Sequence, residues 1–196
     1  MPISRRGFLA SLLASGLPAG GEALALAGEP FPVRQLDVQD VEYKFRRREV
    51  DYKTQEPNGT IVVDPKRRFL FHVQGNGRAM RYGVAVGKAG MTWAGEVVIK
   101  RMAKWPVWVP TSYHLQTIPS LAKYINGMPG GPDNPMGARA MYLYQGEVDT
   151  INRIHGAAKP TEVGRKVTAG CIGLLNVDVI HLYDRVEIGT RVVMLG

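Results

Sequence analysis

The run Thr150-Ile151-Asn152-Arg153-Ile154-His155-Gly156, followed by Thr168-Ala169-Gly170-Cys171-Ile172, carries most of what this chain says about fold and chemistry. The first segment is rich in β-branched residues and predicts a strand ending in an imidazole. The second presents the only cysteine, sixteen positions after His155. Downstream, Asn176 is placed to cap a helix, and Val179, Leu182, Tyr183 and Val186 recur at the i, i+3, i+4, i+7 spacing of one helical face. That helix ends at Gly189 and leads into a last strand, Arg191-Val192-Val193-Met194-Leu195.

Working outward, the same alternation marks further strands. Thr60-Ile61-Val62-Val63 and Arg68-Phe69-Leu70-Phe71-His72-Val73 form a hairpin across Asp64-Pro65. Residues 79–86, 96–100 and 140–144 read the same way. A short helix is expected over Ser120 to Asn126, stopped by Gly127. Many short strands with few helices predict a mainly β protein, a β-sandwich or mixed sheet with the thiol between a loop and a helix start.

The N-terminus reads as an export signal. Ser4-Arg5-Arg6-Gly7-Phe8-Leu9 places a twin arginine before an apolar stretch running to Leu17, and Ala25-Leu26-Ala27 offers small residues for cleavage. The expected organisation is a Tat-type signal peptide over 1–27, an N-terminal arm over 28–58 and a catalytic domain over 59–196. The alternative, a retained N-terminal membrane anchor, is disfavoured because the apolar stretch is shorter than the roughly 20 residues of a bilayer span, and no other segment could span a membrane after cleavage. The formal charge of +8 suits an acidic partner: nucleic acid, anionic lipid head groups or an acidic cell wall. Nucleic acid is the weakest of these, because export removes the protein from it and no binding motif is present. Arg46-Arg47-Arg48 and Lys66-Arg67-Arg68 read singly as solvated charges.

An unpaired cysteine in an exported chain has no disulfide to make, which leaves a reactive thiol. Amides around Gly170-Cys171 and a following helix start would lower its pKa and donate to a developing oxyanion. His155 is the natural base, and Cys with His is a nucleophile and base pair for acyl transfer. No metal-ligand spacing is present, and no cofactor is expected.

Taken together, His155-Gly156, the Thr168–Ile172 turn, Asn176 and its helix, Gly189-Thr190-Arg191-Val192 and the upstream run Gly130–Ala140 resemble the L,D-transpeptidase (YkuD) catalytic domain over about residues 58 to 196. The resemblance implies a β-sandwich whose cysteine attacks a peptidoglycan stem peptide between its third residue and D-alanine, leaving a thioester on Cys171. The side-chain amine of a second stem then makes a 3→3 cross-link; an outer-membrane protein or lipoprotein is a further candidate acceptor. It also implies His155 as general acid and base, the Gly156 carbonyl as its orienter, and the Gly170 and Cys171 amides as oxyanion hole. Thr168, Asn176, Tyr144 and Arg153 are expected at the substrate, in a periplasmic enzyme.

Three positions depart from or vary on the family pattern. Thr168 keeps a hydroxyl where serine or threonine is usual, Ala169 replaces a common histidine, and Gly173 replaces the usual arginine or asparagine. Glycine at 173 removes a guanidinium able to pair with a substrate carboxylate; Arg153, Arg165 and Lys166 are candidates to compensate. Two alternatives to transfer follow: a hydrolase of L,D-carboxypeptidase or amidase type using the same pair, and a catalytically silent wall-binding protein. His72 and His181 read as packing or surface residues, and Trp93, Trp105 and Trp108 as core or groove walls. His114, within the Pro- and Gly-rich stretch 106–137, is a candidate for the groove, with that stretch as its wall or lid.

Overall fold

The computed structural model describes residues 26, 28–33, 38–88, 93–157 and 159–196. The twin arginine and its apolar stretch lie outside the described residues. No helix among those described is long and apolar enough to cross a membrane.

Eleven strands are laid down in chain order: β1 Arg48–Asp51, β2 Ile61–Asp64, β3 Phe69–Gly75, β4 Arg78–Gly83, β5 Val86–Gly87, β6 Gly95–Lys104, β7 Arg139–Gln145, β8 Val148–His155, β9 Lys166–Thr168, β10 Ile172–Gly173 and β11 Arg191–Met194. Nine form one mixed sheet in the order β1-β4-β3-β2-β11-β6-β7-β8-β10, while β5 and β9 pair separately. Within the large sheet, β11 runs parallel to β2 and β10 parallel to β8; the other neighbours are antiparallel. The fold is mainly β with few short helices, α1 Ser112–Thr117 and α2 Asn176–Tyr183.

Both faces of the sheet are covered, which explains the unbroken apolar run Ile61-Val62-Val63 in β2. Ile61 and Val63 turn with Leu70, Met141 and Leu143 towards Val179 and Leu182 of α2. Val62, Phe69 and Phe71 turn the other way, onto Val41, Phe45 and Val163. A third cluster sets Trp108 and Met136 on Ala140 and Tyr142 of β7.

The N-terminal arm is built into this sheet. Its strand β1 is an edge whose Glu49 and Asp51 both pair with Arg78 of β4. Further upstream, Glu29 meets Arg139 at the start of β7 through both guanidinium nitrogens and accepts from Trp105 Nε1 at 2.7 Å.

Three helix expectations are corrected, the first being the end of α2, which stops at Tyr183, short of Val186 and Gly189. The helix expected over Ser120–Asn126 is a 3-10 turn over Pro119–Tyr124, and a true α-helix precedes it at α1. Pro119 closes α1, because the residue before a proline avoids the helical region. Asn176 is not the cap of α2: Leu175 holds that position without a side-chain cap bond.

Candidate active site

The parallel pairing of β10 with β8 brings the two reactive side chains together. Ile172 lies opposite Ile154 and Gly173 opposite His155, so Cys171, just before β10, enters beside the C-terminal end of β8. The two-residue β10 stands between the thiol and α2. Both Cys171 and His155 line one cleft of about 530 Å³, walled by Trp108, Tyr113, His114, Met136 and Thr168.

The His155 ring is fixed by its neighbour. Its Nδ1 lies 2.7 Å from the Gly156 carbonyl oxygen, which can only accept, so Nδ1 carries the proton and Nε2 is the basic nitrogen. The main chain is tied as firmly: the Gly156 N–H donates to the Met136 and Arg139 carbonyls, and the His155 carbonyl accepts from Leu174 N–H at 2.9 Å. Burial pushes the imidazole pKa down to about 4, against the opposing pull of the Gly156 carbonyl. The ring is therefore neutral at physiological pH.

The thiol is neutral too. Burial raises its pKa, outweighing the lowering effects of the Arg153 backbone and the Arg153 charge. This differs from the activated thiol expected from sequence: α2 starts five residues downstream, beyond the two-residue β10. Sγ lies 4.0 Å from the Ile151 carbonyl oxygen, a long contact for a thiol donor. Ile151 sits in a β-bulge, where Tyr142 pairs with Arg153 but Tyr144 pairs with Asp149. Its φ of +62° is a costly conformation for a β-branched residue.

The turn before the thiol is held by one hydroxyl. Thr168 Oγ1 donates to the Cys171 carbonyl at 2.6 Å and accepts weakly from the Gly170 N–H at 3.4 Å. Gly170 has a φ of +118°, a region open to glycine and hardly to other residues. Among the described residues the Cys171 N–H makes no hydrogen bond.

The other expected substrate residues separate in the structure. Arg153 lines the same side of the groove as Cys171, but its guanidinium is clamped by both oxygens of Asp149 at 2.6 and 2.8 Å. Tyr144 packs against the Trp108 cluster instead of the groove. Asn176 lies behind His155, where Oδ1 accepts from Ala138 N–H at 2.9 Å and Ala157 N–H at 3.1 Å. Gly173 is buried, exchanges both backbone hydrogen bonds with Ala85, and lines a second cavity on the other side of His155.

Segment 106–137 supplies the groove wall through Trp108, α1 and Met136. His114 lies in α1, edge-on to Trp108 and closing a capping box with Thr111. Asn134 pins this wall: Nδ2 donates to the Pro106, Met128 and Pro129 carbonyls, and Oδ1 accepts from Met136 N–H. The sequence reading missed Met136, Tyr113 and Ile151. A Thr-x-x-His capping box at 111–114 was the available signal for α1.

A β-sheet protein whose half-buried thiol, just ahead of β10, meets a carbonyl-anchored histidine at the end of the neighbouring parallel strand β8 defines a cysteine acyl-transfer class of site. The family model of the L,D-transpeptidase catalytic domain, YkuD, matches residues 58–194, and the chain belongs to that family. It is 32% identical over 139 residues to the probable L,D-transpeptidase ErfK/SrfK of Salmonella typhimurium, covering 68% of this chain and 43% of that protein. The probable L,D-transpeptidase YbiS of Escherichia coli is 28% identical over the same length, with the same coverage. The chain thus spans less than half the length of these relatives.

Among solved structures, a probable carnitine operon oxidoreductase caia from Brucella melitensis is 46% identical, covering 76% of this chain and 93% of that one, with a TM-score of 0.54. Enterococcus faecium L,D-transpeptidase shares the fold at 18% identity and a TM-score of 0.53, covering 71% of this chain and 50% of its own.

Proposed function

We propose that this chain is an exported L,D-transpeptidase that works on peptidoglycan stem peptides through a thioester on Cys171. The observation that carries the reading is the convergence of Cys171 and the Gly156-anchored His155 on one cleft. The chemistry follows from their neutral resting state. Sγ attacks the carbonyl carbon of the third stem residue while His155 Nε2 takes the thiol proton. The C–N bond to D-alanine then breaks, and His155 returns the proton to the leaving amine. An acceptor amine attacks the thioester, gives its proton to His155, and the thiol is restored.

Stabilisation of the tetrahedral oxyanion is assigned to the Cys171 N–H, with the Gly170 N–H released from its weak bond to Thr168. Thr168 acts as the brace of that turn, Asn176 as the brace of the His155 backbone. The signal peptide over 1–27, periplasmic location and the arm over 28–58 ahead of a catalytic domain over 59–196 belong to the same proposal, as does a second stem, outer-membrane protein or lipoprotein as acceptor.

The test is incubation with purified tetrapeptide muropeptides, with products resolved by mass spectrometry. Cross-linked dimers that have lost D-alanine are expected, and Cys171→Ala and His155→Ala should form none. Shortened monomers alone would make the protein a hydrolase, and untouched substrate would make it a binding protein.

A further inference from the structure

Across three neighbouring strands, Arg101 of β6, Tyr142 of β7 and Arg153 of β8 lie opposite one another in register. Each guanidinium carbon is 4.4 Å from the centroid of the Tyr142 ring. The ring itself is only 7% exposed. All three residues line the part of the groove that also contains Cys171 and Ile151. Irregular pairing flanks the ladder on both sides, between Ile99 and Arg101 and between Tyr142 and Tyr144.

The two arginines are in opposite chemical situations. Arg153 is spent: both its terminal nitrogens bind Asp149, and one also donates to the Asn152 carbonyl. Burial raises the Asp149 pKa, but the Arg153 fork, the Ile151 N–H and the field of Arg101 bring it below the ordinary carboxylate value. It is ionised at neutral pH and neutralises one arginine. Arg101 is exposed and, among the described residues, its guanidinium makes no hydrogen bond or salt bridge. Its guanidinium carbon sits over the Tyr142 ring, and no acceptor among the described residues takes its N–H groups. Within this ladder two cations and one anion leave one net positive charge, on a fork that fits a carboxylate where the Lys88 ammonium lining the adjoining cleft offers only a point charge.

We propose that Arg101 is the carboxylate-binding residue of the groove, recognising a free carboxylate of the donor peptide while Cys171 engages the scissile carbonyl. This rests on the acyl-transfer reading above and gives it a substrate requirement: a donor with its carboxylate free is preferred to the carboxamide. Arg153, Asp149 and Tyr142 are positioning residues that hold the fork. The cation missing at Gly173 is thereby supplied from a different strand, on the opposite side of the site from the cavity that Gly173 lines.

Two carboxylates of a stem tetrapeptide fit this chemistry, the C-terminal D-alanine and the diaminopimelate side chain. The test uses isothermal titration of the Cys171→Ala chain with three synthetic tetrapeptides: the free acid, the C-terminal amide and the diaminopimelate amide. One amide is expected to bind roughly 10- to 100-fold more weakly than the free acid, the range for a lost charge-assisted bidentate contact. Arg101→Gln in the same background should weaken the free acid by a similar factor and leave that amide unchanged. Arg101→Lys should recover part of the loss. Equal weakening of acid and amides would reduce Arg101 to packing and overturn the proposal. So would an Arg101→Gln chain that binds the acid as its parent does, or a parent that binds none of the three. Release of D-alanine by the unmodified chain is measured alongside. If D-alanine is released without the acid–amide contrast, Arg101 fails and acyl transfer stands; the reverse result sinks acyl transfer and keeps the site.

Discussion

The Nδ1 of His155 is held 2.7 Å from the Gly156 carbonyl oxygen, which leaves Nε2 as the only nitrogen free to accept a proton from Cys171. Because burial keeps both groups neutral, thiolate chemistry and histidine-assisted chemistry separate along the pH axis. Alkylation by iodoacetamide needs the thiolate, so its rate should be low near neutrality and still rise above about pH 9, beyond the ordinary thiol range. In the proposed mechanism, acylation by a carbapenem would use His155 as base. Its rate should hold from neutrality down and fall only as pH drops through about 4, where the imidazole is protonated. His155→Ala should remove the second reaction and spare the first. An alkylation plateau at neutral pH would mean a preformed thiolate and contradict the neutral pair.

Asn176 joins the segments on either side of His155 by accepting from Ala138 and Ala157 at one oxygen. Asn176→Ala leaves both amides short of a partner, at about 1–3 kcal/mol for each one that stays buried. Asn176→Asp keeps the acceptor and should be far milder. Gly156→Ala tests the same contact from the other side, since an added Cβ would lie 2.2 Å from Asn176 Oδ1. Thermal unfolding should rank Asn176→Asp above Asn176→Ala, with Gly156→Ala losing D-alanine release as well. Equal melting of the two Asn176 variants would show that the acceptor oxygen is not what holds the loops.

Glu29 compensates the guanidinium of Arg139, whose side chain is 3% exposed. Removing one partner of a buried ion pair strands the other, at a cost of roughly 3–5 kcal/mol. Glu29→Ala should therefore be strongly destabilising, while the double replacement Glu29→Ala with Arg139→Met should recover much of the loss. A chain beginning at residue 59 would lack Glu29, Phe45 and β1 together, and is expected to unfold at lower denaturant than one beginning at 28. If the two unfold alike, the arm contributes nothing to the domain it packs on.

How far the fold was legible follows from where hydrophobicity does the specifying. Strands β2, β3 and β7 are readable to within a residue or two because both their faces are buried and apolar, and β11 because Val192 and Met194 alternate into the core. Strand β1 is not: it is an edge carrying Arg48, Glu49 and Asp51, and charged edges protect a sheet without leaving an apolar pattern. Strands β9 and β10 are too short to show a period. Cys171 and His155 were legible as a pair through their flanking glycines. Arg101 was not, because the apolar alternation of β6 fades at Lys100 while the strand continues to Lys104. Arg153 was legible as a residue near the site, but the clamp by Asp149 depends on a bulge that no spacing rule announces.

Gly173 lines a cavity of about 460 Å³ together with Asp133, Lys159, Glu162 and His155. Its N–H and C=O are both bonded to Ala85, so the backbone there is fixed independently of any side chain. The cavity places Glu162 and Asp133 among the residues a Gly173→Arg guanidinium would meet. Thermal unfolding is expected within about 2–4 °C of the parent, the shift that ~1 kcal/mol causes in a chain of this size. With Arg101 supplying the groove's cation, kcat/KM for D-alanine release should stay within about threefold, less than 1 kcal/mol of transition-state stabilisation. A drop of tenfold or more with the fold intact would mean that substrate enters this cavity, and that the glycine keeps a second approach to His155 open. A tenfold rise would mean that Arg101 does not replace the missing cation, and would transfer that role back to position 173.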